Sequence, residues 1–365
     1  ISFWALPENV ICHIFAYLDM ASLKSVMLTC KTWQRITEKD QVWRPMFLKN
    51  WKEPDCIVGK SWKERYHVEI NWETQQYTTN TLKGHTASIT CLQFDSDKLV
   101  SGSVDTKINL WDLTSNHVIR TFRGHTNTVR ALYLDVSNNI IISGSEDKTI
   151  KIWELQSGRV LQTLKDHSAE VNCLAVDRSR NLLYTGSGDK TVKAWDMSSW
   201  KAVQTFKGHT NKVFALQVQD NTLVTGSQDK TVRLWDTTSA KCLNVIEGHT
   251  DSVRCVQLDQ DKNKIISGSD DSTIKIYDLQ EGEQSIEAHP GHKVTCLQFD
   301  NNKMLTGSND GSIKVWDTLT NEVLYVLDPK AGWVRCLQFA QELLVSGHGD
   351  NSIRVWNFNP VEEAM

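Results

Sequence analysis

The 365-residue sequence predicts a mostly β fold, a ring of seven repeated four-stranded units preceded by a small all-α segment. Three observations carry that reading. A closing aromatic of W-D type falls at Trp111, Trp153, Trp195, Trp235, Tyr277, Trp316 and Trp356, at intervals of 39 to 42 residues. An Asp stands six residues before each of them, at Asp105, Asp147, Asp189, Asp229, Asp271, Asp310 and Asp350. Alternating runs such as TIKIW and VRCLQF, separated by turn clusters such as LTSN and LQSG, have the period of short antiparallel strands. A unit of this size cannot bury both faces alone, so its copies must stack, and the ring must close.

The elements follow in chain order. Over residues 1–50, Val10, Ile11, Ile14, Phe15 and Leu18 recur at helical spacing behind Pro7, which suits a first helical turn. Asp19 and Ser22 can cap a second helix bearing Leu23, Val26 and Met27; Trp33 and Ile36 mark a third. Three short helices carry more apolar surface than about 45 residues can bury among themselves, so some of it is expected to meet a partner. Residues 51–75 are rich in Trp and charge rather than Gly or Ser, which predicts a packed helical spacer. The repeats fill 76–358. After Trp356 only nine residues remain, too few for the last outer strand, whereas QYTTNTL (76–82) has its alternation. That segment is predicted to pair with the seventh unit and remove two exposed edges. Residues 359–365 are read as a tail, and a first residue other than Met leaves room for a preceding segment.

Composition narrows the function classes. The net charge of −4, from 40 basic and 44 acidic residues, gives no footprint for nucleic acid or anionic membrane. No apolar run approaches the roughly 18 residues of a membrane span, and no signal-peptide pattern opens the chain. The nine cysteines never form C-x-x-C, and Cys91, Cys255, Cys296 and Cys336 share one repeat position, as small core hydrophobes would. No metal ligand set, no cofactor and a reducing compartment are expected, in the cytoplasm and/or nucleus.

Residues 76–358 resemble a seven-bladed WD-repeat β-propeller. The resemblance implies a hydrogen-bonded set inside each blade, such as His85, Ser101, Asp105 and Trp111, or His125, Ser143, Asp147 and Trp153. A Ser-His-Asp hydrolase would use the same residue types. The set recurs from blade to blade, however, and no G-x-S-x-G elbow is present, so no catalytic residue is assigned. Three blades depart: Tyr277 replaces Trp in the fifth, His289 or His292 could serve the sixth, and Lys330 stands in the His slot of the seventh.

Residues 1–50 resemble an F-box, through Leu6-Pro7, IFAYLD, TCKTWQRI and VWRPMF. The resemblance implies docking on the Skp-type adaptor of SCF cullin-RING ubiquitin ligases, with contacts at Leu6, Pro7, Ile11, Ile14, Leu18 and Leu23. The rival reading is a helical cap folded onto the propeller. One slot after the first Val or Ile of each inner strand holds Thr90, Arg130, Asn172, Phe214, Arg254, Thr295 and Arg335. An unpaired guanidinium beside an apolar row is costly, so these arginines are expected at the strand ends, at the channel mouth. WD-repeat F-box receptors use arginines of this slot for phosphorylated degrons, and the guanidinium fork suits an anion. Glu146 and Asp270 can neutralise Arg130 and Arg254, whereas Arg335 faces only Gly349. The site is therefore ranked as Arg254, Lys293, Arg335 and Trp333 first, then Lys212, Phe214 and Arg130, against a rival reading of ion pairs without a ligand. These features imply a non-catalytic receptor for short acidic or phosphorylated degrons, with a signalling scaffold as the alternative.

Overall fold

The structure, a computed structural model, describes residues 6–51, 60–259, 264–278, 282–328 and 330–359. Within the first fifty residues lie α1 (Glu8–Phe15), α2 (Met20–Met27), α3 (Lys31–Thr37) and α4 (Asp40–Asn50). Asp19 caps α2 by accepting the Ser22 N–H at 2.7 Å. The sequence predicts three helices here, and α4 is the addition. Its Pro45 lacks the N–H that a continuing helix uses and so reads as a stop. Val42, Trp43, Met46 and Phe47, all buried on one face of α4, outweigh that lost bond by completing the core with Ile11, Phe15, Leu23 and Ile36.

Seven four-stranded antiparallel sheets follow, with inner strands first, over 89–122, 129–164, 171–207, 213–246, 253–287, 294–327 and 334–357. The last supplies three strands, and Thr78–Lys83 adds the fourth, pairing Thr79 with Trp356 and Leu82 with Ile353. The ring is thus closed by chain from before its first blade. Adjacent blades pack tightly enough to dictate sequence: a Cβ on Gly102 would lie 2.7 Å from Val129 of the next blade, which explains the central Gly of the S-G-S run. Cys91 and Cys296 fill this layer, and burial pushes both thiols up to about 12, far from reactivity. Inner-strand glutamines cross several seams, as where Gln338 accepts the Phe94 N–H at 2.7 Å and ties blade 7 to blade 1. Tyr133 replaces this glutamine in blade 2, and its hydroxyl accepts Arg178 Nε–H at 2.6 Å across the seam to blade 3.

α5 (Trp62–Thr74) joins the two parts, opened by a capping box between Ser61 and Glu64. Trp62 and Tyr66 enter the helical core, while Val68 and Trp72 enter the core of blades 6 and 7. Trp72 stacks on Phe358 at 3.6 Å and donates its indole N–H to the Gln341 carbonyl at 3.0 Å. Buried Lys303 of blade 6 meets Glu69 of α5 at 2.9 Å and faces the Trp72 ring. Two hydrophobic cores share one helix, which leaves no hinge along Trp62–Trp72. No helix among the described residues is long and apolar enough to cross a membrane.

Candidate functional site

The histidines settle first. His125 Nδ1 lies 2.6 Å from Asp147 Oδ2, and Nε2 lies 2.7 Å from Ser143 Oγ. Asp147 Oδ2 also accepts the Thr126 N–H at 3.1 Å, so it is the acceptor and Nδ1 carries the proton. Ser143 then donates to Nε2 while its oxygen accepts the Trp153 indole N–H at 2.8 Å. Burial alone would raise the Asp147 carboxyl, but hydrogen bonds from His125 and Thr149 outweigh it and hold the group well below the usual carboxylate range. These distances match a catalytic triad. Ser143, however, is 0% exposed, so no substrate carbonyl can reach it. The same clasp joins His85 to Ser101 and Asp105, His167 to Asp189, His209 to Asp229 and His249 to Asp271. In blade 6, where the sequence allows two candidates, His289 takes the place, 3.0 Å from both Asp310 and Thr306. Blade 7 has a different solution: the buried ring of His348 bonds Ser346 at 2.8 Å, and its Nδ1 has no hydrogen-bond partner among the described residues.

The slot after the first strand residue has a geometry that alternation does not foresee. In every inner strand the register slips at this position, for example between Val129 and Ala131, so the slot residue is a β-bulge. A bulge re-aims its side chain, here toward the channel rather than onto the face shared with Leu132 and Leu134. Thr90 and Thr295 turn their hydroxyls to the Val129 and Val334 carbonyls of the next blade, and Asn172 Nδ2 donates to Val213 O at 3.0 Å. All seven slot residues line the opening, and Arg130, Phe214, Arg254 and Arg335 are those whose side chains do not bond a backbone carbonyl of the next blade among the described residues.

That opening is a cavity of about 470 Å³ lined by all seven sequence-nominated residues: Arg130, Lys212, Phe214, Arg254, Lys293, Trp333 and Arg335. Its cations are unequal. Arg130 is paired with Glu146, and Lys212 with Glu170 at 2.7 Å. Arg254 forks onto Asp270 at 2.9 and 2.7 Å, and Lys293 joins the same carboxylate at 3.1 Å. Arg335 has no carboxylate or hydrogen-bond acceptor among the described residues; its Nε is buried without a partner and its guanidinium lies 5.4 Å from the Trp333 ring. Burial, then the facing Arg130 and Arg254, weaken its hold on the proton, as expected for an uncompensated cation. Glu170 is the residue sequence reasoning missed; it sits two residues before the slot of blade 3, and only the fold brings it to Lys212.

The helical domain sorts its nominated contacts in two. Pro7 is exposed, Ile14 is 36% exposed, and Leu6 and Leu18 are half-buried. Ile11 and Leu23 are core residues, 6% and 0% exposed, so they hold the helices together and present nothing. That corrects their assignment as contacts; the sequence marks an apolar residue but not which side of a thin helical layer it faces. Val10, Tyr17 and Leu28 are instead exposed, at 38%, 75% and 85%. Val10, Ile14 and Tyr17 have the i, i+4, i+7 spacing that could have found this face.

Comparison with known proteins places these parts. Residues 3–49 match the family described as F-box-like, residues 321–357 the WD domain, G-beta repeat, and residues 72–302 the Nucleolar protein 10-like, N-terminal domain. The probable E3 ubiquitin ligase complex SCF subunit sconB of Arthroderma otae is 29% identical over 32% of this chain and 23% of its own length. The F-box/WD repeat-containing protein 7 of Drosophila melanogaster is 29% identical over 34% of this chain and 11% of its own. The F-box and WD repeat domain-containing 11-A of Danio rerio is 29% identical, again over 34% of this chain and 29% of that protein. The matched stretch is thus less than a third of each relative.

Proposed function

Because the chain belongs to the F-box/WD-repeat family, and its propeller to the one described as Nucleolar protein 10-like, N-terminal domain, we propose that it is the substrate-recognition subunit of an SCF-type ubiquitin ligase. In this reading the exposed apolar face of α1 and α2 docks on a Skp-type adaptor. The channel mouth binds a short acidic or phosphorylated segment of the substrate, and α5 fixes the distance between the two. The chain supplies position rather than chemistry, and transfer of ubiquitin belongs to the rest of the ligase.

The observation that carries the proposal is Arg335, a guanidinium without an internal acceptor among the described residues, set beside an exposed tryptophan at the mouth of a ring rigidly joined to the helical domain. An anion reaching it would gain a charge-assisted hydrogen bond, about 1.5–3 kcal/mol, without breaking an ion pair. The test has two arms. Ile14→Glu combined with Tyr17→Glu should abolish co-purification with the adaptor while leaving the melting temperature unchanged. Arg335→Glu should abolish capture by an immobilised acidic and phosphorylated peptide library. Adaptor retention by the first variant, or undiminished peptide capture by the second, would overturn the corresponding half.

A further inference from the structure

The charges at the mouth say more than that it takes an anion. Glu146 Oε1 accepts both Nε and Nη2 of Arg130, and Asp270 accepts the same two nitrogens of Arg254. In both arginines the Nε–Nη2 edge is therefore already filled from within, and an anion that came to the remaining Nη1–Nη2 end would meet a cation whose charge is already balanced. Asp270 is held hardest: its side chain is 3% exposed and it receives Lys293 as well. A ligand that took Arg254 would leave this buried carboxylate with Lys293 as its one remaining ion pair among the described residues. Glu146, 26% exposed, holds a weaker position but would repel any anion brought to Arg130. Among the described residues of the mouth, Arg335 alone meets a ligand with no internal competitor, and what stands next to it is apolar, the half-exposed face of Trp333.

We propose, resting on the receptor reading above, that the mouth selects a segment with a single acidic group beside an aromatic or aliphatic side chain. The acidic group docks on Arg335 and the apolar neighbour packs on Trp333. Glu146 and Asp270 are specificity-determining residues that keep Arg130 and Arg254 from serving a second anion. Phosphoserine and glutamate share the required chemistry, and the experiment separates them.

The test uses the full chain in complex with its adaptor and fluorescence anisotropy of labelled peptides. One sequence carries an aromatic residue followed by Ser, Glu or phosphoserine, and a second series adds another phosphoserine one to five residues away. A single Glu or phosphoserine should tighten binding about tenfold or more over Ser, and the ratio of the two shows which source the site prefers. The second phosphate should change Kd less than about threefold at any spacing. Replacing the aromatic residue by Ala should lose about tenfold. In Glu146→Gln the second phosphate should gain about tenfold at the spacing that reaches Arg130. A wild-type chain that binds the doubly phosphorylated peptide more than about tenfold tighter refutes the single-anion rule while leaving the receptor reading intact. No gain in Glu146→Gln refutes the role of that carboxylate, and Asp270→Asn, read against Arg254, provides the second variant. Binding indifferent both to acidic groups and to Arg335→Glu removes the receptor reading and the inference with it.

Discussion

In blade 2, His125 is held by Asp147 and Arg130 by Glu146; in blade 7, Lys330 stands in the histidine slot, Gly349 in the glutamate slot, and Arg335 is left uncompensated. The two blades share the register and bulge of their two innermost strands, so at the mouth the difference lies in side chains and in the loop before the inner strand. Blade 7 partly repairs itself. His348 replaces the last Ser of S-G-S and swings its ring onto Ser346, taking over the hydroxyl half of the clasp but not the carboxylate half. Asp350 keeps the turn contact to Ser352 that Asp147 makes to Thr149, and in place of an imidazole it has Arg354 at 3.6 Å. Where a repeat gives up internal partners without compensation, function is the reason to look for, and here that place is also where Trp333 and Arg335 meet the opening.

The contrast can be broken at several points. Removing the ring from blade 2 should have the largest effect: His125→Ala strands a buried hydroxyl and a nearly buried carboxylate, and urea unfolding should show a loss of about 2–4 kcal/mol. Asp350→Ala in blade 7, whose carboxylate is 40% exposed, should cost less than about 1 kcal/mol. Equal losses would mean that the two aspartates do the same work.

Acid should act on blade 7 before blade 2. Burial depresses His348 from 6.5 to about 4, so it stays neutral in the fold while the unfolded chain takes up its proton. Stability from this group is therefore complete above pH 6.5 and is lost as pH falls toward 4, at up to about 1.4 kcal/mol per pH unit. The Asp147 carboxyl, held low, is fully effective above its ordinary value of 3.8 and fails only in stronger acid. Wild type and His348→Ser should therefore differ in slope between pH 6.5 and 4 and run parallel above it, which melting curves across pH will show or refute.

The smallest effect is a repair. Lys330→His together with His348→Ser restores the repeat in blade 7 and gives the imidazole its Asp350 partner, for a gain of about 1 kcal/mol in the same unfolding assay. No gain would show that the loop from Lys330 to Trp333, with positive φ at Lys330 and Gly332, cannot place the ring.

Much of this was legible in the sequence because the period repeats each signal. The ring, the closing strand and the uncompensated Arg335 follow from aligning the chain with itself, and the clasps of blades 1 to 4 from the WD-repeat resemblance that the alignment exposes. What was hidden depends on packing that no repeat reports. The bulge that aims Arg130 shows no residue signature, α4 carries Pro45 in its interior, and Ile11 differs from Ile14 only in which side of a thin layer it faces. His348 could be placed only when its ring was seen on Ser346, since S-G-H by itself reads as a lost serine.

The strand Thr78–Lys83 leaves the ribosome before any blade, and its partner Ser352–Asn357 is made last. The seat of Trp72, built from Phe339 and Phe358, comes from the same late stretch. Through most of synthesis the nascent chain is therefore an open arc, with an unpaired strand at one end and a finished helical domain on a loose stalk. One closing event pairs the strand, seats the helix and turns tether into strut. A chain truncated in its last blade would keep its early helical domain yet lose control of where that domain points.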